Sequence, residues 1–194
     1  MTLLFALTTS VFAGPTAKVG EAAPTFALPD LEGNTVKLED YADQVVVLEW
    51  FNPGCPFVKY AHGEGGPLET RAKTVAEGGV AWIAINSGAP GKQGTGVETN
   101  KEAVAAWSMQ HPVLLDEQGQ VGRLYGASTT PQIAVIDHGT LVYWGGLDNR
   151  PMGKDKSGAE AVDYLDAALA DIAAGRPVGT PEATTYGCSV KYGK

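Results

Sequence analysis

The feature that most constrains the fold is an apolar run that ends abruptly in a turn. The run Val45-Val-Val-Leu-Glu-Trp-Phe51 has the length of a strand and contains a single charged residue. Such runs are typical of strands that are buried on both faces, as in a parallel sheet. Asn52-Pro53-Gly54 ends the strand, and Pro56 stands where a helix can begin without losing a needed N–H. The sequence therefore predicts a buried strand, a turn that carries Cys55, and a helix.

Other segments extend this unit into an α/β domain. Two more buried strands are predicted at Gly79–Asn86 and Pro112–Asp116. Hairpins are predicted within 25–41 and at 132–144, where the turn is His138-Gly139. Alternating strands and helices favour parallel pairing, and the late hairpin adds an antiparallel pair. The expected fold is a three-layer α/β domain with a mixed central sheet and an N-terminal β-hairpin.

Helices are predicted from proline positions, capping boxes and apolar spacing. They are Pro56–His62, Pro67–Ala76, a helix that opens at the capping box Thr99-x-x-Glu102 and runs to Gln110, Gln120–Tyr125, and a helix after the capping box Ser157-x-x-Glu160. The glycine-rich stretch Ser87–Val97 lacks the phosphate-binding loop pattern and is interpreted as a plain surface loop.

Length and charge exclude several classes of protein. The chain has 194 residues, enough for one ordinary domain. Its net charge of −8 disfavours nucleic acid and anionic membrane surfaces as partners. Membrane-spanning helices need about 18 or more consecutive apolar residues, and the chain has no such run. Two cysteines and three scattered histidines exclude a closely spaced four-ligand zinc site, and neither a metal nor an organic cofactor is implied.

The N-terminus predicts export. Leu3 to Phe12 form an uncharged apolar run, and Val11-Phe12-Ala13 resembles a cleavage site, so residues 1–13 are interpreted as a signal peptide. The usual positive charge before the apolar run is missing, which leaves an N-terminal strand or a disordered tail as the alternative. Export would make the protein periplasmic or secreted, where disulfides persist. The two cysteines must then be considered together.

Cys55 is the strongest candidate for chemistry. Its position at the start of a helix exposes it to unpaired N–H groups and to the positive end of the helix dipole. Both stabilise a thiolate, and Lys59, one turn further on, could add a positive charge. The alternative is a buried, inert cysteine.

Three motifs together carry a resemblance to a known family. Trp50-Phe-Asn-Pro-Gly-Cys55-Pro56 resembles the active-site strand and helix of thioredoxin-like proteins, and Tyr125-Gly-Ala-Ser-Thr-Thr-Pro131 resembles their cis-proline loop. Gly187-Cys-Ser-Val-Lys-Tyr192 resembles the ending of bacterial redoxins grouped with the alkyl hydroperoxide reductase/thiol-specific antioxidant family and TlpA-like thioredoxins. The resemblance implies a thioredoxin-like domain over 18–178 and a C-terminal tail over 179–194.

The resemblance also implies roles for single residues. Cys55 would be the nucleophile, and Pro131 would lie in cis against its sulfur and help to bind an extended partner peptide. Glu49 matches the buried acid that accepts a proton, with a pKa raised by its apolar strand. The alternatives are a trans loop proline at 131 and an edge carboxylate that points to water at 49.

Two departures from the family patterns affect the mechanism. Val58 replaces the second cysteine of the thioredoxin C-x-x-C motif, and Leu48 and Asn52 replace the proline and threonine of the peroxiredoxin motif. Cys188 is then the only thiol in the chain that could resolve a Cys55 intermediate, unless Cys188 of a second copy does so. The alternative is a purely structural Cys55–Cys188 disulfide. The aperiodic tail suggests that Cys188 sits on a mobile arm.

The predicted function is a thiol-based oxidoreductase. Cys55 would attack a disulfide or a peroxide of a protein or small molecule, and Cys188 or an external thiol reductant would complete the reaction. The other interpretation is a non-catalytic thioredoxin-like module that binds proteins.

Among the remaining candidates, His62 is expected to face solvent, Arg123 to lie on a helix surface, and Trp50 to wall the active-site turn. Oligomeric state is not predicted.

Overall fold

The computed structural model describes residues 17–154 and 158–194, which form nine strands and five α-helices. The strands are β1 (Ala27–Pro29), β2 (Thr35–Lys37), β3 (Val45–Trp50), β4 (Val80–Asn86), β5 (Val113–Leu115), β6 (Thr129–Thr130), β7 (Gln132–Asp137), β8 (Thr140–Gly145) and β9 (Cys188–Ser189). The helices are α1 (Pro56–His62), α2 (Arg71–Glu77), α3 (Val97–Ala106), α4 (Gln120–Tyr125) and α5 (Tyr164–Ala173). The predicted signal peptide, residues 1–13, lies outside the described residues.

A mixed five-stranded sheet in the order β5-β4-β3-β7-β8 forms the centre of the domain. The β3–β4 and β4–β5 pairs are parallel, and the β3–β7 and β7–β8 pairs are antiparallel. This arrangement confirms the predicted sheet. β1 and β2 pair antiparallel in a separate two-stranded sheet, which confirms the N-terminal hairpin.

The central strand β3 is buried on both faces. Successive side chains of a strand point to opposite faces, so Val46, Leu48 and Trp50 join one apolar cluster, while Val47 joins the cluster on the other side. Because β3 is the central strand of the sheet, the turn that follows its carboxyl end lies between the neighbouring strands rather than at the side of the domain. Cys55 and α1 are placed there.

Three predicted helix starts are wrong. α2 begins at Arg71 rather than Pro67, because the N–H of Leu68 donates to the carbonyl of Ala61 at 2.8 Å and the Leu68 side chain is buried. These contacts hold residues 67–70 in turns. α3 begins at Val97 after Gly96 and ends at Ala106, so Thr99 lies inside the helix and is not its N-cap.

The last helix begins later than its capping box predicts. α5 starts at Tyr164, and the carboxylate of Asp163 accepts the N–H of Asp166 at 2.8 Å as the N-cap. This carboxylate takes the role predicted for Ser157, which lies outside the described residues. The two competing caps are close together in the sequence, and local pattern alone does not choose between them.

The C-terminal segment, defined here as 187–193, is docked rather than a mobile arm. β9 pairs antiparallel with β6, and the N–H of Val190 donates to the carbonyl of Ser128 at 3.0 Å. Further along, the N–H of Ala89 donates to the carbonyl of Lys191 at 2.8 Å. The hydroxyl of Tyr192 donates to the carbonyl of Ala127 at 2.8 Å. Backbone bonds hold the segment, and such bonds leave no side-chain periodicity to detect.

No helix among the described residues has the length and apolar character needed to cross a membrane. The division of the chain after residue 178 stays a prediction.

Candidate active site

Cys55 caps the start of α1, as predicted. Its backbone is extended (φ −79°, ψ 126°), and its carbonyl accepts the N–H of Lys59 at 2.9 Å, the first bond of the helix. Pro56 occupies the first helical position, where no N–H is needed. Because the first N–H groups of a helix have no partner within it, the N–H of Val58 can donate to the Cys55 sulfur.

A loop that sequence reasoning treated as plain surface braces the turn before Cys55. Asn52 accepts the N–H of Gly54 through Oδ1 at 2.8 Å and donates through Nδ2 to the carbonyl of Gln93 at 3.0 Å. Gln93 donates back to the carbonyl of Gly54 at 2.9 Å. Gly94 must be glycine here, because a Cβ would lie 1.9 Å from Oδ1 of Asn52. The Asn52 amide therefore fixes the turn.

Cys188 of the same chain meets Cys55. Both cysteines are free thiols; Cys55 is 0% exposed, whereas Cys188 is partly exposed. Cys188 stands opposite Thr130 in the β6–β9 pair, and the Cys55 Sγ lies 3.1 Å from the Thr130 carbonyl oxygen. In the thiol form Cys55 donates to that carbonyl. Cys188 packs against the apolar cluster that contains Cys55, and each thiol shifts the pKa of the other.

The two cysteines have pKa values displaced in opposite directions. Burial raises the pKa of Cys55, but hydrogen bonds from the Cys188 thiol, the Thr130 side chain and the Val58 N–H outweigh it, so its pKa lies below the ordinary value. Burial and the hydrogen bond to Cys55 raise the pKa of Cys188 to about 11. These directions make Cys55 the more readily ionised of the two thiols. Exposed Lys59 is not among the groups that lower the pKa of Cys55.

Pro131 follows Thr130 through a cis peptide bond, as predicted. Gly187 faces this loop. Its φ of 136° and its closeness to the Thr130 backbone both favour glycine at this position. A Cβ at Gly187 would lie 2.1 Å from the Thr130 carbonyl oxygen. Sequence reasoning gave Gly187 no role, although a glycine beside the second cysteine is a signal for such an approach.

Glu49 is a buried acid and not an edge carboxylate. It is 0% exposed; Oε1 lies 2.8 Å from Nε2 of His62, and Oε2 accepts the indole N–H of Trp82 at 3.2 Å. Both carboxyl oxygens thus have partners, which makes the burial of an acid possible.

His62 is the site residue that sequence reasoning missed. It was expected to face solvent, but it is 4% exposed, and its ring stacks on Trp107 with 5.4 Å between centroids. The missed signal is spacing on α1, because His62 lies four residues after Val58 and shares its buried face. His111 lies in a loop, and burial lowers its pKa to about 4, with the Glu49 charge opposing and His62 adding to the shift.

The expectation for Trp50 is wrong, whereas the place of Arg123 on a helix surface is confirmed. Trp50 does not wall the active-site turn, because its side chain points into the core on the other side of β3 and packs on Tyr125 and Trp144. Arg123 lies on α4, and its guanidinium donates to the carbonyl of Gly193 at 2.9 Å and covers the Tyr192 ring. It therefore anchors the C-terminal segment. Within residues 17–154 and 158–194, no three His, Cys, Asp or Glu side chains are grouped to bind a metal ion.

Comparison with solved structures agrees with the fold. The chain is similar to a hypothetical protein from Sinorhizobium meliloti 1021 at 32% identity and a TM-score of 0.76, over 93% of this chain and 97% of the other. It is also similar to the thioredoxin domain of a thiol-disulfide oxidoreductase from Bacteroides vulgatus at 20% identity and a TM-score of 0.54, over 66% of this chain and 89% of that one. The predicted thioredoxin-like fold is confirmed.

Sequence comparison points the same way. The chain is 31% identical over 120 residues to the thiol-disulfide oxidoreductase ResA of Geobacillus thermodenitrificans, a match that covers 61% of this chain. The chain spans 63% of the length of that relative. The model of the AhpC/TSA family matches residues 19–144, a range that contains Cys55, Glu49 and Pro131 and leaves out Cys188. Since the match covers well over half of its length, the chain belongs to the AhpC/TSA family.

Proposed function

We propose that this protein is a thiol-disulfide oxidoreductase in which Cys55 is the nucleophile and Cys188 of the same chain resolves the intermediate. One observation carries the proposal. Two free thiols meet beside Thr130: the Cys55 sulfur at the start of α1 lies 3.1 Å from the Thr130 carbonyl oxygen, and Cys188 pairs with Thr130 across β6 and β9. The pKa of Cys55 is lowered and the pKa of Cys188 is raised. The first is ready to attack as a thiolate, and the second retains its proton until the first has reacted.

The proposed reaction proceeds in two exchanges. The Cys55 thiolate attacks one sulfur of a partner disulfide, the partner's S–S bond breaks, and one partner thiolate leaves and takes up a proton. Cys188 then loses its proton and attacks the Cys55 sulfur, which releases the second partner thiol. The partner gains two electrons, and the protein is left with a Cys55–Cys188 disulfide. An external thiol reductant restores the two thiols.

Glu49 is proposed as the proton acceptor for the second exchange. Cys188 must lose a proton to attack, and Glu49 is a buried acid on the strand that leads into the Cys55 turn. His62 fixes the Glu49 carboxyl through its 2.8 Å contact and is a positioning residue. Pro131 is proposed to border the surface on which an extended partner segment lies.

Parallel turnover assays test this proposal. Wild type, Cys55→Ser and Cys188→Ser are assayed for reduction of insulin disulfides and of hydrogen peroxide, each with an added thiol. We expect disulfide turnover in wild type and none in Cys55→Ser. When the added thiol is left out, a mixed disulfide should accumulate on Cys55 in Cys188→Ser. Unchanged turnover of Cys188→Ser would show that Cys55 works alone. Peroxide turnover without disulfide turnover would identify a peroxidase, and no turnover of either would favour the binding module.

We also propose that the protein works outside the cytoplasm. The apolar run at 3–12 and the small residue at Ala13 support a removed leader, and a pair of cysteines is suited to an oxidising compartment. Expression of the whole chain followed by cell fractionation tests this. We expect a periplasmic or secreted product that begins near Gly14, and a cytoplasmic product with an uncleaved N-terminus would contradict it.

A further inference from the structure

The C-terminal segment pairs with β6, the two-residue strand that borders Cys55, in a separate two-stranded sheet. In the β6–β9 pair, Thr130 stands opposite Cys188 and Thr129 stands opposite Ser189. Two-stranded antiparallel pairing of this kind is how an extended peptide adds to an exposed strand edge. Here the added strand belongs to the chain itself, and it presents a cysteine to Cys55 as a bound partner segment would.

The same segment closes the approach to the nucleophile. Cys55 is 0% exposed, and Cys188 packs against the apolar cluster that contains it. Thiol-disulfide exchange needs the attacking sulfur to touch the sulfur it attacks. A disulfide within another protein is flanked by backbone on both sides and cannot reach a sulfur that is wholly covered.

The contacts that hold the segment are of a kind that can be broken without unfolding the domain. The segment contributes no strand to the five-stranded sheet. Backbone and side-chain hydrogen bonds hold it, together with the partly buried side chains of Val190 and Cys188, which pack at the margin of the core. Gly187 is the tightest point, because any side chain there would collide with the Thr130 carbonyl. A single methyl group at this position should therefore displace the segment.

We propose that the C-terminal segment is an internal substrate mimic, which must leave β6 before a protein disulfide can bind there and react with Cys55. This rests on the proposed function and adds the control of access to it. After the first exchange, the segment returns to β6 and brings Cys188 to the mixed disulfide. The partner again gains two electrons, and the protein is left with a Cys55–Cys188 disulfide. Small disulfides need less displacement than protein disulfides, so the segment discriminates by size.

The first test measures access to Cys55 without any turnover. In the Cys188→Ser background Cys55 is the only thiol, and its alkylation by a polyethylene-glycol maleimide and by iodoacetamide is followed. Adding Gly187→Ala is expected to accelerate the bulky reagent at least tenfold and iodoacetamide less. The matched control is Gly193→Ala in the same segment, where a Cβ meets only Ala89 at an ordinary 3.4 Å. This control should leave both rates unchanged.

Hydrogen exchange of the Val190 amide reports directly whether the segment is docked, since that N–H donates to Ser128. Faster exchange in Gly187→Ala together with an unchanged Cys55 alkylation rate would overturn the proposal. Unchanged exchange would overturn the role of Gly187. Tyr192→Ala, which removes the bond to Ala127, is a second way to loosen the segment and should move both readouts in the same direction.

Turnover separates this inference from the proposed function. Gly187→Ala with Cys188 intact should increase the rate of the first exchange with insulin more than with a small disulfide such as hydroxyethyl disulfide. Equal rates in wild type and variant with insulin would overturn the substrate-mimic role while leaving the oxidoreductase intact. If Gly187→Ala opens Cys55 to alkylation but no form turns over any disulfide, the covering role stands and the proposed function fails.

Discussion

Two regions of the molecule each bring one cysteine to the same place, but in different ways. The first is β3 together with α1, and the second is the C-terminal segment. Cys55 is held by a buried central strand and the first turn of a helix, and the Val58 N–H is among the groups that lower its pKa. Cys188 lies on a two-residue strand that pairs only with β6. Burial alone raises the pKa of both thiols, and only Cys55 has enough donors to reverse that effect. Hydrogen-bond donors, not exposure, therefore decide which sulfur is the thiolate.

Removing the Cys55 sulfur should have the largest effect on activity. Cys55→Ser should lower thiol-dependent disulfide turnover by a factor on the order of 1,000 or more, because the attacking thiolate is gone. Insulin reduction measured with a fixed external thiol checks this, with the fold verified by circular dichroism. Substantial residual turnover would mean that the partly exposed Cys188 attacks instead.

Stability should separate the two regions. Glu49→Ala leaves His62 and the Trp82 N–H without their buried partner and should lower the free energy of unfolding by about 3–5 kcal/mol. Urea unfolding at neutral pH measures this change. The exposed Glu77→Ala is the control and should stay within about 0.5 kcal/mol of wild type. Gly187→Ala should cost less than Glu49→Ala, and the reverse order would contradict the description of the segment as a detachable edge.

The prediction that sharpens the comparison of the two thiols concerns pH. Because the pKa of Cys55 is lowered, its alkylation rate should rise with pH and reach half of its plateau below about pH 8.5, the ordinary midpoint for cysteine. Cys188→Ala removes a donor, so the midpoint should move to higher pH. Cys188→Ser, which keeps a donor, should move it less. A midpoint that falls or stays fixed in Cys188→Ala would show that Cys188 does not stabilise the thiolate.

The lowered pKa of Cys55 also makes the free energy of unfolding depend on pH. A pKa that is lower in the folded than in the unfolded protein means that ionised Cys55 stabilises the fold at high pH. That contribution is lost as the pH falls through the folded-state pKa. In Cys188→Ala the loss should begin at higher pH. Urea unfolding of both proteins at pH values below about 8.5, where Cys188 keeps its proton in the folded protein and largely in the unfolded one, checks this.

Glu49→Gln should act on one exchange only. The amide cannot accept a proton from Cys188, so the second exchange should slow by about 10²-fold or more, while attack by an already ionised Cys55 keeps its rate. Rapid mixing with a chromogenic disulfide resolves the two steps. Equal slowing of both would indicate that Glu49 only supports the structure.

The smallest effect is expected from Lys59→Ala. Lys59 was a candidate for stabilising the thiolate, but it is exposed, and the groups that lower the pKa of Cys55 do not include it. The alkylation midpoint should therefore equal that of wild type. A clear rise would restore the role that the sequence suggested.

The difference between the two regions also explains what the sequence could predict. The strand, the Cys55 turn, α1 and the proline at 131 are marked by local signals, such as an apolar run and a proline at a helix start. The burial of His62 could have been found from its spacing after Val58. The pairing of Cys188 with Thr130, and the bracing of the turn by Gln93, join residues far apart in the chain. No local propensity encodes these contacts, so they become visible only in the folded molecule.

The most direct test of the central claim is to find the bond that forms on oxidation. Wild-type protein is equilibrated in buffers of graded disulfide-to-thiol ratio, quenched with alkylating reagent, digested with trypsin and analysed by mass spectrometry. We predict a monomer in which the peptide ending at Lys59, with Cys55, is joined to the peptide ending at Lys191, with Cys188, and the bond should form and break reversibly over moderate ratios. A chain whose two cysteines remain separate thiols, or whose bond never opens across the whole range, would contradict the account.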